Sequence, residues 1–454
     1  MNNTIEYPPG PKDLFPYTIA RKFLRDPLKT LTNLSETYGD ISHFKFGKQD
    51  VYFLNNPNYI EEVLVTNYKN FIKSRGLQVS KRLLGTGLLT SEGIYHDKQR
   101  HLIQPTFSLK RIRSYADVMI KKTLNSCEKW NKGSILDIHK EMTQLTLEII
   151  CKTVLSYDIK PEDDEVGDSL LTCMEYFNRL LMPFGELIEK IPILPINKGF
   201  QKAKGNLDSI VFRIIDEHRV KLEKNEQKDK DLLFTLLQAQ DDDSGIEKMT
   251  DQQLRDEVMT IFLAGHETTA NALTWTFYLL SEHPIIDARL QEEIHSIFSD
   301  KIDLSFNDIS KLGYTAKVLT ESMRLYPPAW ALGRQAINDC KIGKYIIRSG
   351  SIILMSQYVM HRNQNYFPQP NTFCPDRWTD EFKKTLPRFS YFPFGGGIRG
   401  CVGEPFAWME AIIITAVINR LWKMNSTSSN KVALKPLITL RPKYGMHLKI
   451  TRRE

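Results

Sequence analysis

Residues 392–411 read FPFGGGIRGCVGEPFAWMEA. Three adjacent glycines are costly to order, because each loses more backbone freedom on folding than any other residue. They lead through Arg399 to a lone cysteine, Cys401, and Pro405 stands in the first turn of the pattern that follows, where a helix accepts proline. FAWMEAIIITAVINRLWKM (406–424) then reads as a helix with an apolar face. Cys401 thus comes just before a helix N-terminus, where backbone N–H groups and the macrodipole favour a thiolate. A glycine-rich approach, a stabilised thiolate and a nearby cation together suit a large, flat, anionic ligand bound through sulfur. A cysteine in a turn, taken alone, is more often a buried structural residue, so the rest of the chain has to decide.

The bulk composition narrows the classes. With 454 residues, 41% hydrophobic and 25% charged, the chain is ordinary for a soluble globular enzyme. No stretch approaches the roughly 18 unbroken apolar residues of a membrane span. The N-terminus MNNTIEYPPGPKDLF has no apolar core and does not read as a signal peptide. Six cysteines (Cys127, Cys151, Cys173, Cys340, Cys374, Cys401) lie far apart with no CxxC pair, against a disulfide framework, a zinc site or an iron–sulfur site. A reducing cytoplasm is the expected compartment. The net charge of +7 is mixed along the chain. Its basic run Lys110, Arg111, Arg113 has no interleaved aromatics, which argues against nucleic acid and leaves a docking face for an acidic protein.

Residues 1–11 form a Pro-rich, extended N-terminal segment. HFKFGKQDVYFLNN (43–56) alternates around a Gly-Lys-Gln-Asp break and predicts a β-hairpin. From about 57 to 330 apolar residues recur at helical spacing, interrupted by the polar stretch LEKNEQKDKD (222–231), expected to be an exposed loop or helix end. Strand patterns return at 340–355 and 438–451. The expected fold is mainly α with small β-sheets in a single large domain, 1–454.

One helix stands out: TDQQLRDEVMTIFLAGHETTANALTWTFYLLSEHP (250–284). Thr250 and Gln253 fit a capping box, and Pro284 ends the run. At 1.5 Å per residue it spans roughly 45–50 Å, and its apolar middle predicts burial. Gly265, His266, Glu267, Thr268 and Thr269 sit in that middle, where a carboxylate is costly unless paired or functional. HETTA (266–270) is not the zinc-protease HExxH, because Ala270 replaces the second histidine, and GGGIRG lacks the GK[ST] of a phosphate loop.

FPFGGGIRGCVG matches the haem-ligand signature F-x-x-G-x-R-x-C-x-G at Phe394, Gly397, Arg399, Cys401 and Gly403, and so resembles the cytochrome P-450 family. AGHETT (264–269) resembles that family's oxygen-binding helix motif, ESMR (321–324) its E-x-x-R, and FCPDRW (373–378) its F-x-P-x-R-[FW]. The four occur in the family's order and at its usual spacing, and together with flanking patterns the resemblance covers most of the chain.

The resemblance implies heme b with Cys401 as axial thiolate in the loop 392–403, a ligand that pushes electron density through the iron and favours O–O cleavage. It implies that Gly395, Gly396 and Gly397 let the backbone graze the porphyrin, that Phe394 shields the sulfur, and that N–H groups near Gly403 bond to it. For the two propionates it implies Arg399, the pair His96 and Arg100 in EGIYHDKQRHLIQPTF (92–107), and Arg334. His96 stands where the family usually has tryptophan. Glu321, Arg324 and Arg377 become a structural lock on the cysteine loop. Ala264 and Gly265 supply small residues where the long helix passes over the haem, and Glu267 with Thr268 relays protons.

The expected activity is insertion of one atom of dioxygen into a small hydrophobic substrate. Electrons would come from a separate ferredoxin or flavodoxin and its reductase, since no flavin or iron–sulfur domain follows the C-terminal strands. A peroxide-driven hydroxylase or a haem-based sensor has no need of the Glu267–Thr268 pair. Leu88, Leu89, Phe262, Ala329 and Trp330 are the expected pocket residues, with LLMPFGELIEKIPILPI (180–196) as a mobile apolar lid. The variants LYPPAWALGR and AGHETT resemble the fatty-acid-hydroxylating branches, which makes a fatty acid the expected substrate ahead of a steroid or terpenoid.

Overall fold

The capping box at Thr250 opens the helix that organises one half of the molecule. The Gln253 N–H donates to Thr250 Oγ1 at 3.2 Å and the Thr250 N–H to Gln253 Oε1 at 2.7 Å. The helix then runs through Asp251–Glu282, buried along nearly its whole length as expected from its apolar middle. Pro284 does more than end it: this residue is the first of the next helix, Pro284–Phe298, in the position where its missing N–H costs nothing.

The computed structural model describes residues 7–11, 18–160, 165–181, 185–224, 231–241, 249–298, 305–427 and 432–453. Residues 1–6 of the N-terminal segment, 182–184 of the expected lid and 225–230 of the polar stretch lie outside the described residues. The chain separates into two compact units, one of residues 1–79 and 321–401 and one of 80–320 and 402–454.

The first unit is built on a five-stranded sheet. The expected hairpin is Ile41–Phe46 paired antiparallel with Gln49–Leu54. Gln49–Leu54 also pairs in parallel with Ile352–Met355, and Leu332–Ala336 and Phe71–Lys73 continue the sheet antiparallel. Tyr52, Leu54, Phe71, Ile353 and Met355 pack beneath it with Ile60, Met360, Phe389 and Phe392. Alternation predicts the hairpin, whereas Phe71–Lys73 and Leu332–Ala336 are too short to show a period of two.

The second unit is helical. The long helix packs on Ile138–Val154, Leu109–Glu128 packs on Glu404–Leu421, and Val166–Leu181 packs on Pro195–Glu223. A small sheet joins Ile135–Asp137, His447–Arg452 and Trp422–Ser426. Here the structure corrects the reading of 406–424 as one helix. The helix ends at Leu421, and Trp422–Ser426 leaves it as a strand paired with His447–Arg452. The apolar run crosses that boundary without a glycine or proline, so periodicity could not mark it. Among the described residues no helix is long and apolar enough to cross a membrane.

Candidate haem-thiolate site

In the first unit, the loop 392–401 is closed by its own main chain. Gly395 N–H donates to Phe392 O at 3.0 Å, Gly400 N–H to Gly397 O at 3.0 Å, and Cys401 N–H to Phe394 O at 2.9 Å. Gly395 and Gly397 hold left-handed backbones, with φ of +72° and +68°. Protein packing accounts for two of the three glycines, which corrects the expectation that all three clear the porphyrin. A Cβ on Gly396 would lie 2.4 Å from the Phe389 ring, and one on Gly397 would lie 2.0 Å from Leu64 O. Only Gly395 keeps room beside it, with Leu332 Cδ1 at 3.7 Å. Cys401 is exposed, while the other five cysteines are buried or half-buried. An accessible thiol at the end of a tightly closed loop fits a ligand bound through sulfur. Arg399 stands half-buried in the same loop, and Arg334 is buried in the strand Leu332–Ala336. Ala329 is half-buried and Trp330 buried, its carbonyl accepting from Ser356 Oγ at 2.9 Å.

The structure brings Glu321, Arg324 and Arg377 together. Both Glu321 and Arg324 are fully buried. The Glu321 carboxylate accepts from Arg324 Nε and Nη2 at 2.8 Å each, Arg377 Nε at 2.9 Å, Cys374 N–H at 3.0 Å and Trp378 Nε1 at 2.8 Å. Arg324 Nη1 donates onward to His361 O at 2.8 Å and Pro370 O at 2.6 Å. Sequence reasoning missed His361. Its Nε2 accepts the Phe392 N–H at 2.9 Å and its ring lies 4.8 Å from that of Tyr391. Burial, with Arg324 and Arg362 alongside, pushes its pKa well below the usual imidazole value, so the ring is the neutral acceptor this bond requires. The ion-paired cluster thereby reaches the first residue of the cysteine loop through one side chain.

In the second unit, the long helix sorts its central residues by angle. Ala264 and Thr268, four apart, lie on one exposed side, and Thr268 Oγ1 donates to Ala264 O at 2.9 Å. Phe262 is turned about 160° away from Ala264 at 100° per residue and is fully buried. Phe262 therefore does not line a pocket, which corrects its assignment. Gly265 answers to the helix Ile138–Val154, because a Cβ there would lie 2.7 Å from Ile150 Cγ1. Helix packing, not clearance over the haem, requires that glycine.

Glu267 and Thr268 do not meet. Consecutive helix residues face directions about 100° apart, and Glu267 is buried toward the C-terminal strands. Its Oε1 accepts from Asn271 Nδ2 at 2.8 Å and Thr439 Oγ1 at 2.9 Å, and lies 3.2 Å from Arg441 Nε. Asn271, Thr439 and Arg441 belong to no motif, so no local pattern pointed to them. Glu410, on the helix Glu404–Leu421, is fully buried, and burial pushes its carboxyl well above the usual range, with the Thr269 hydroxyl partly offsetting this. It packs beside the long helix. Gly403 caps the start of the Glu404–Leu421 helix. His96 and Arg100 share the helix Gly93–Ile103. The His96 ring is buried, with Nδ1 3.1 Å from Asp97 Oδ1, and Arg100 is half-exposed. Leu88 is buried and Leu89 exposed.

A sequence model of the family described as Cytochrome P450 matches residues 8–448. Cyclooctatin synthase of Streptomyces melanosporofaciens is 34% identical, over 92% of this chain and 89% of the relative. Cyclooctat-9-en-7-ol 5-monooxygenase of the same organism is 32% identical, over 92% of this chain and 88% of the relative. The crystal structure of a mutant cytochrome P450 heme domain superposes with a TM-score of 0.85 at 24% identity, over 98% of each chain.

Proposed function

We propose that this chain, which belongs to the cytochrome P450 family and is a haem-thiolate monooxygenase by that membership, oxidises a neutral, ring-bearing, largely hydrocarbon substrate of the terpenoid kind. The observation that carries the substrate class is the chemistry of the candidate wall. Of the residues expected to meet the substrate, Leu88, Leu89 and Ala264 in the second unit and Ala329 and Trp330 in the first, none brings a cation to meet a carboxylate, and apolar linings select by shape with few polar contacts. The name of one relative, a 5-monooxygenase of cyclooctat-9-en-7-ol, supports the same class. It gives no support to the fatty acid expected from LYPPAWALGR and AGHETT.

When bound, thiolate-ligated haem activates dioxygen, so that one atom enters a carbon–hydrogen bond and the other leaves as water. In this reading Cys401 Sγ holds the iron and Phe394 keeps water from the sulfur. Arg399, Arg334, Arg100 and His96 would be the donors to the propionates, and Thr268 Oγ1 would deliver protons. Glu267 keeps a charge in place through Arg441, one residue from that hydroxyl. A peroxide-driven or sensing relative would have no use for Thr268. The electron donor is a separate acidic ferredoxin or flavodoxin, supported by the exposed Lys98, Lys110 and Arg113 with the half-exposed Arg111. The reaction would take place in the cytoplasm, in line with six cysteines that are all free, and the match over 8–448 supports one domain of this family.

Titrating the ferric holoprotein with a cyclic terpene alcohol should convert the haem to its high-spin form, and long-chain fatty acids should do so only weakly. Turnover with an acidic ferredoxin should slow as ionic strength rises. A fatty acid that saturates the shift while ring compounds leave it unmoved would overturn the substrate class.

A further inference from the structure

Three consecutive residues near the start of the long helix, Arg255, Asp256 and Glu257, are all buried, at 3%, 3% and 0% exposure. Successive helix residues point about 100° apart, so these charges cover most of the helix circumference at a level where burial is costly without partners. Each has its partner in the segment 83–88. Arg255 Nη1 donates to Leu83 O, Asp256 Oδ2 accepts the Thr86 N–H at 2.8 Å, and Glu257 Oε2 accepts the Leu88 N–H at 2.9 Å. Arg255 is itself fixed by Asp208, with Nε 2.8 Å from Oδ1, and Gln252 Nε2 holds the other Asp256 oxygen at 2.8 Å.

The segment is shaped to receive this grip. Gly85 has φ +53°, and a Cβ there would lie 1.8 Å from Asp256 Oδ2. A Cβ on Gly87 would lie 2.2 Å from Thr260 Oγ1 and 2.5 Å from Asp256 O. Thr90 Oγ1 donates to Gly85 O at 2.7 Å and Ser91 Oγ to Leu88 O at 3.3 Å, so the turn is also closed on itself. A helix that needed only a hydrophobic seam here would not bury three charges to hold two amides and a carbonyl.

We propose that Asp256 and Glu257, braced by Arg255, form a clamp that fixes the Leu88–Leu89 wall and so determine which hydrophobic substrates fit, without touching the substrate. The proposal rests on the reading that this wall faces the substrate. An N–H bonded to a carboxylate is about twice as strong as a neutral pair, and two such bonds two residues apart fix both the position and the orientation of the wall. A wall pinned to the long helix cannot retreat before a wider ligand. It therefore discriminates among rigid ring compounds by width, as a greasy surface free to shift would not. Asp256 and Glu257 are positioning residues in this scheme.

The test compares the holoprotein with Glu257→Met, which removes the acceptor at similar volume, Glu257→Gln, which keeps a neutral acceptor, and Leu88→Ala, which alters the wall itself. Two quantities are read: hydrogen exchange at the Leu88 amide, and the ratio of dissociation constants for a cyclic terpene alcohol and a linear alcohol of equal carbon number. Glu257→Met should speed Leu88 exchange about 10–100-fold and shift the affinity ratio about tenfold. Glu257→Gln should move both in the same direction by less, and carries the test if the methionine variant does not fold. Leu88→Ala should shift the ratio as well. Unchanged Leu88 exchange in both Glu257 variants would overturn the clamp. A ratio that moves in Leu88→Ala but not in the Glu257 variants would overturn its bearing on specificity. A ratio that moves in none of them would show that the wall does not face the substrate, and the proposal would fall with that reading.

Discussion

Replacing Arg324 by methionine is expected to leave a protein that no longer retains haem and unfolds at much lower denaturant than the parent. The guanidinium gives two bonds to Glu321 and further bonds to the carbonyls of His361, Pro370 and Thr372. Methionine fills part of the volume and satisfies none of these groups. Glu321, fully buried, would keep Arg377 as its one ionic partner among the described residues. Breaking a buried pair in this way costs about 3–5 kcal/mol, a large fraction of the stability of an ordinary domain. The loss also reaches the loop, because the carbonyl Arg324 holds belongs to His361, whose ring holds the Phe392 amide. Equilibrium denaturation and the fraction of protein carrying haem are the measurements. A midpoint and haem content like those of the parent would show that the cluster does not support the cysteine loop.

Thr268→Ala should bind haem and substrate as the parent does, yet form product about 10²–10⁴-fold more slowly, with the electrons lost to hydrogen peroxide. Thr268 donates its own proton to Ala264 O, which leaves the lone pairs of Oγ1 to accept a proton donor such as water from the exposed side of the helix. Alanine removes that station and little else, since among the described residues the hydroxyl bonds within its own helix, to Ala264 O. Thr268→Ser, which keeps the oxygen, should recover most of the coupling. Product formed per electron consumed is the readout. A ratio unchanged in the alanine variant would mean that protons arrive by another route.

Much of this was legible in the chain, and the failures have physical reasons. The hairpin at 41–54, the Thr250–Gln253 capping box and the long helix announce themselves through alternation, a short-range bond pattern and sustained periodicity, all of which are local. The pair Glu321 and Arg324 is readable because the two are three apart on one helix, Arg377 comes only from the family resemblance, and His361 belongs to no such pattern. At Gly396, Gly397 and Gly265 no side chain fits, as the glycine reading expects, whereas Gly395 has room beside it and is set by its positive φ. What they make room for was not legible, because Leu64, Phe389 and Ile150 are brought there by tertiary packing. Phe262 is expected in the pocket as an apolar residue of the helix middle, but two residues along a helix lie on nearly opposite sides, and it is turned away from Ala264. The pairing of Glu267 with Thr268 comes from the motif resemblance, whereas the partners Thr439 and Arg441 come from the end of the chain. The stretch DQQLRDE (251–257) carries four charges and two glutamines and reads as a solvated helix start. Only the position of residues 83–88 reveals why its last three charges are buried.

The proposed function makes Cys401, alone among the six cysteines, the thiolate ligand of the haem iron. The most direct test is the absorption spectrum of the reduced holoprotein under carbon monoxide, for the parent and for Cys401→Ser. The parent should show the red-shifted Soret band that only a thiolate-ligated ferrous haem gives with carbon monoxide, and the serine variant should lack it entirely. A Cys401→Ser protein that retains that band would contradict the assignment.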